Sequence, residues 1–119
     1  MKKKFKIKLD GEEQLDIFVS GIIQDNIYKY LEKDLMVSIQ TFKDKITIKR
    51  NNTEYLLTLN LEKNKQTIST YEFIGGEKVF NLNTYVNELI ISDNSIYVKY
   101  NLEGNDFEFS LEVVEWKNY

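Results

Sequence analysis

Apolar residues recur at every second position along most of this chain. Phe5, Ile7 and Leu9 alternate with lysines. Leu15, Ile17 and Val19 keep the period, as do Val37, Ile39 and Thr41, then Ile46 and Ile48, then Tyr55, Leu57, Leu59 and Leu61. A period of two puts alternate side chains on one face of a pleated strand. Short stretches rich in Asn, Asp and Gly separate the runs, so the chain reads as a series of β-hairpins.

Turn positions then predict register. A two-residue turn at Lys43-Asp44 sets Ile39 opposite Ile48. One at Asn51-Asn52 sets Ile48 opposite Tyr55, Ile46 opposite Leu57 and Lys49 opposite Glu54. Gly75-Gly76 sets Tyr71 opposite Phe80. Asp93-Asn94 sets Ile91 opposite Ile96 and Leu89 opposite Val98. Gly104-Asn105 sets Leu102 opposite Phe107 and Tyr100 opposite Phe109. On this reading Ile96, Val98, Tyr100 and Leu102 face inward, Tyr97 faces outward, and Phe80, Phe107 and Phe109 belong to the core. A slip of one residue would turn every inward side chain into water, which is why apolar-to-apolar agreement is informative. The link at 62–65 fits two or three residues. Residues 27–35 fit a strand, the reading preferred here, or a short helix capped by Asp25 or Asn26; a second short helix at 84–90 is the weaker alternative.

Eight to ten short strands joined by tight turns make an all-β, antiparallel up-and-down meander. Closing it into a barrel removes the exposed edges that an open sheet would present. No linker, repeat or low-complexity segment interrupts residues 1–119, so they form a single domain.

Composition narrows the chemistry. Among 119 residues there is no His, Cys, Pro or Ala. Without His or Cys there is no imidazole base, no thiolate nucleophile and no ordinary zinc site. No metal and no cofactor are expected. No glycine-rich phosphate loop and no pair of carboxylates in a pocket can be placed. The residue set leaves only chemistry built on Tyr, Glu and Arg, with Glu115 near a rim as its one candidate carboxylate. Net charge is −3, and the basic residues are 15 Lys and one Arg. Nucleic-acid binding is not expected from that balance. The lysines at 2, 3, 4, 6 and 8 read as the solvated face of an edge strand. No apolar run is long enough to span a membrane, and the basic start lacks the apolar core of a signal peptide, so a cytoplasmic protein is expected.

Several stretches resemble the YwiB-like family of uncharacterised bacterial proteins. They are Gly21 with Tyr28-Lys29-Tyr30-Leu31-Glu32; Asp44-Lys45-Ile46-Thr47-Ile48-Lys49-Arg50, a strand ending in Arg before a turn; Tyr71 before a glycine turn and Phe80-Asn81-Leu82-Asn83-Thr84; and Ile96-Tyr97-Val98-Lys99-Tyr100-Asn101-Leu102. The segment from Gly21 to Tyr28 is shorter here than in that family. The resemblance implies a calycin-like, lipocalin-like barrel and no particular activity.

Three residues are candidates for binding. Arg50 shares the face of Ile46 and Ile48 beside a turn, near one barrel mouth, where a guanidinium can grip a carboxylate or phosphate with two hydrogen bonds. It equally fits a structural pair with a Glu. Tyr71 and Tyr100 fall on inward faces, where a hydroxyl needs a partner. Two readings of function follow. One is a barrel holding a small amphipathic or anionic ligand against Arg50, Tyr71 and Tyr100. The other is a protein-interaction module acting through an exposed edge or a patch near Phe18, Tyr97 and Trp116. Oligomeric state is not legible in the sequence.

Overall fold

The computed structural model describes residues 2–11 and 14–114. They form ten strands: β1 (Lys2–Asp10), β2 (Gln14–Gln24), β3 (Ile27–Glu32), β4 (Leu35–Thr41), β5 (Lys45–Asn51), β6 (Tyr55–Glu62), β7 (Gln66–Phe73), β8 (Val79–Ile91), β9 (Ser95–Leu102) and β10 (Asn105–Val114). Each strand pairs antiparallel with its neighbours in sequence, and β1 pairs with β10 to close the barrel. Turns after odd-numbered strands therefore lie at one rim and turns after even-numbered strands at the other. Residues 27–35 are two strands and a turn at Lys33-Asp34, and residues 84–90 lie in β8, so both helical alternatives fall away.

Three predicted registers hold. Ile39 faces Ile48, Tyr71 faces Phe80, and Ile91 faces Ile96. Two slide. The β5–β6 turn is Thr53-Glu54, so Ile48 faces Leu59 and Arg50 faces Leu57. Asn52 moves the turn: its Oδ1 accepts from the amides of Glu54 at 2.8 Å and Tyr55 at 3.0 Å. The β9–β10 turn is Glu103-Gly104, with φ of 48° and 87°, so Phe107 faces Tyr100 and Phe109 faces Val98. Positive φ at both positions is the geometry that matches the twist of a two-residue hairpin. Both slips are by an even number of residues, so every side chain keeps its predicted face. The 62–65 link has three residues outside the strands, with Asn64 at φ 60°.

The inward faces make one core in which Phe5, Ile7, Val37, Ile39, Val86 and Val98 are wholly buried. Phe5 lies over Gly21: a Cβ built there would sit 2.2 Å from the Phe5 ring and 2.7 Å from the Lys29 carbonyl oxygen. The ring fills the space a side chain would have taken and meets Tyr28 and Tyr30 at centroid distances of 6.2 and 6.1 Å. Phe109 is buried and Phe107 is partly buried against the core, stacked on Tyr100 at 5.4 Å. Phe80, expected in the core, is 46% exposed. The β8–β9 ladder starts only at Thr84 and Leu102, so no β9 neighbour covers the β7–β8 ribbon that carries Phe80.

Two ladders are short. β2 and β3 share four pairs, from Gly21–Tyr30 to Gln24–Ile27, and β6 and β7 share four, from Tyr55–Phe73 to Thr58–Thr70. Where β6 leaves β7, hydroxyls take over. The Asn60 amide donates to Ser69 Oγ at 2.9 Å, Ser69 Oγ meets Thr84 Oγ1 at 3.1 Å, and Thr67 Oγ1 donates to the Asn60 carbonyl. Thr67 and Thr84 also share a hydroxyl contact of 2.8 Å. Ser69 and Thr84 are buried, and each is satisfied within this network.

Gly21→Ala is expected to lower the unfolding free energy by about 2–3 kcal/mol, since the added methyl meets backbone as well as a ring. Ser69→Ala is expected to lose about 1–3 kcal/mol by stranding the Asn60 amide. Urea denaturation of both variants checks this, and no change in either contradicts it.

Candidate functional site

Consecutive pairings align Tyr30, Val37, Arg50, Leu57, Tyr71 and Phe80 in one row across β3 to β8. The row runs close to the rim of the odd-numbered turns. Arg50 sits one residue before the end of β5, in step with inward Ile46 and Ile48. Glu32 ends β3 in step with inward Tyr28 and Tyr30. Their side chains meet there: Arg50 Nη2 donates to Glu32 Oε2 at 2.8 Å, with side-chain exposures of 16% and 13%. Burying either charge alone would be costly, so the pair answers a mutual need.

Two buried atoms in this cluster have no hydrogen-bond partner, the Tyr30 hydroxyl and Glu32 Oε1. Such atoms are rare in folded proteins, and each costs about 1–3 kcal/mol when left unmade. Burial pushes the Tyr30 hydroxyl far above the usual phenol range; Arg50 pulls it back and Glu32 pushes it further. Tyr100 is pushed up to about 12 by burial, with Arg50 opposing. Arg50 is thus felt by tyrosines on both β3 and β9.

Of the three residues predicted to line a site, Arg50 and Tyr100 share this interior end. Tyr71 belongs to an aromatic row instead. It stacks on Tyr55 at 5.3 Å and meets Phe73 edge-on at 5.1 Å, and Phe73 meets Phe80 at 6.3 Å. Sequence reading missed Glu32 and Tyr30. The signal was present: Tyr28, Tyr30 and Glu32 keep a period of two once residues 27–32 are taken as a strand.

The outer face carries other chemistry. Phe18 and Tyr97 are exposed or partly exposed but lie on β2 and β9, with β1 and β10 between them, so they do not form one patch. Trp116 and Glu115 fall outside the described residues, as do Glu12 and Glu13. Tyr97 donates a short hydrogen bond to Glu108 Oε1 beside a shallow concavity of about 310 Å³ that also touches Asp10 and Asp16. That bond, with burial and the charges of Glu108 and Glu88, pushes Tyr97 up to about 12. A phenol held protonated in this way is a poor base. Among the described residues, no group of three acidic side chains is placed to hold a metal.

The architecture defines the class: a ten-stranded, antiparallel, up-and-down barrel with a charged pair at one rim. No protein-family profile and no curated protein matches the sequence. Among solved structures the chain is similar to the ywiB protein from Bacillus subtilis, with a TM-score of 0.64 and 12% identity over 98% of this chain and 91% of that one. The likeness is one of fold, and it supports the YwiB-like barrel expected from the sequence.

Arg50→Met is expected to cost about 3 kcal/mol by leaving Glu32 without its counter-charge, and Arg50→Met with Glu32→Gln to recover most of that. A double-mutant cycle by denaturation reads the coupling. Alkaline stability has a defined sign. Tyr30 and Tyr100 titrate above their unfolded value of about 10, so their contribution is complete below that pH and is lost as pH rises through the folded values. Melting curves should fall more steeply with pH between about 10 and 12 for the native chain than for Tyr100→Phe; parallel curves would contradict the assignment.

Proposed function

We propose that the protein is a binding barrel that takes one small amphipathic molecule at the rim carrying Arg50. Its polar group sits against Glu32, Arg50 and Tyr30, and its apolar part lies along Tyr100 and toward the aromatic row at Tyr71. The observation that carries this reading is the pair of buried, unpartnered atoms beside a charged pair, Tyr30 OH and Glu32 Oε1. A ligand with one donor and one acceptor satisfies both at once. Because Arg50 and Glu32 already neutralise each other, a polar neutral head or a weak acid suits the cluster better than a full dianion. The reading also rests on analogy, since barrels of this kind hold one small ligand or fill with side chains.

A native mass spectrum of gently purified protein, repeated after denaturation, tests it. The expected result is an added mass of small-molecule size in the first spectrum only. Arg50→Ala should weaken that adduct. Tyr30→Phe should abolish it while the ligand-free protein holds or gains stability, because an unmet buried hydroxyl has been removed. A bare chain mass from the native protein, together with a destabilised Tyr30→Phe, would overturn the proposal.

A further inference from the structure

The two short ladders leave different edges behind. At β6–β7 the opened ends are bridged by Ser69, Thr67 and Thr84. At β2–β3 no comparable bridge exists among the described residues. Residues 14–20 of β2 pair with β1 along one side, and among the described residues no strand pairs with their other side. Every second residue of that stretch therefore turns its amide and carbonyl toward open solvent. The stretch contains no Pro and no Gly, and it alternates Leu15, Ile17 and Val19 against Gln14, Asp16 and Phe18. That is a strand ready to accept another strand.

A groove of about 440 Å³ lies at the inner end of this edge, on the outer face where β3 splays away from β2. Ile22, Leu31 and Met36 line it and are each between 41% and 58% exposed. The charged residues in its lining are Lys2 and Lys29, which stand opposite Ile22 on either side, on β1 and β3. Further along the edge, Lys6 stands opposite Phe18 and rests on its ring, 5.9 Å from the centroid. The surface thus offers unpaired backbone and an apolar trough bordered by Lys2 and Lys29, with Asp16, opposite Lys8, the one carboxylate along the 14–20 edge.

We propose that the outer edge of β2 docks an extended segment of a partner protein in which apolar and acidic residues alternate. The segment's backbone continues the sheet beside residues 14–20. An apolar side chain at its end enters the Ile22–Leu31–Met36 groove, and its carboxylates face Lys2 and Lys29. Tyr30 borders this groove as well as the Arg50 cluster, but the docking needs no ligand at the Arg50 rim.

Amide resonances of the labelled full chain report the test, with a capped heptapeptide alternating Glu and Val as probe. Expected are shifts centred on residues 14–20 and 29–31, with affinity falling as salt rises from about 50 to 200 mM. Lys29→Glu, an exposed change, should weaken binding about tenfold. The same peptide methylated at alternate backbone nitrogens should not bind. Three results would each overturn the proposal: no shifts at about 1 mM peptide, equal binding of a Lys/Val peptide, or the same shifts with a doubled mass when the chain alone is concentrated. The last would assign the edge to a second copy.

Discussion

β1 is hydrogen-bonded along both of its edges, among the described residues by nine pairs to β2 and seven to β10, and the rest of the barrel depends on that double pairing. It joins the first strand to the last, so the cost of closing a loop across nearly the whole chain falls on it. Its inward side chains offset that cost. Phe5 and Ile7 are wholly buried, and Phe5 covers the one place in β2 where a side chain is missing. Gly21 is needed for this close approach rather than for an unusual backbone angle. An aromatic ring laid over a strand glycine restores the packing that the glycine gives up.

Filling the interior leaves a polar problem at each end, and the two are solved differently. Where β6 parts from β7, short hydroxyl side chains reach across and satisfy the amide and carbonyl of Asn60. The groups are neutral, so burying them is cheap once each has a partner. At the opposite rim the chain places a full ion pair, Arg50 with Glu32, and leaves two polar atoms unmet. An ion pair under partial cover is weak evidence of stability. Its position beside unmet groups is what the proposed binding at this rim rests on.

Much of the fold was legible because a period of two is hard to mistake. Most strand faces followed from alternation, down to Tyr97 outward and Tyr100 inward; β8 keeps no single phase, because a bulge between Val86 and Glu88 shifts it. Register was less legible, because turn chemistry competes locally. Asn-Asn looked like the β5–β6 turn, yet the Asn52 side chain accepts from the amides of Glu54 and Tyr55 and moves the turn along. Phe80 defeated alternation for another reason: it has the inward phase but lies beyond the reach of β9, and phase says nothing about strand length. Of the site, Arg50 was placed correctly near a rim. Its partner went unseen because 27–35 also fits helical spacing, and only as a strand does Glu32 join the inward set. Tyr71 was placed on the correct face, and its ring packs on Tyr55 and Phe73.

β2 pairs with β1 over residues 14–22 and with β3 over 21–24, so the central claim is that, among the described residues, β2 is paired on both sides at 21 and 22 and is an edge over 14–20. Residue-by-residue amide exchange tests it most directly. Core-like protection is expected for residues 21, 22 and 28–30, with an alternation over 14–20 in which every second amide exchanges as fast as a loop's. Uniform protection from 14 to 24 would mean that β2 has a partner along its whole outer edge, and would contradict it.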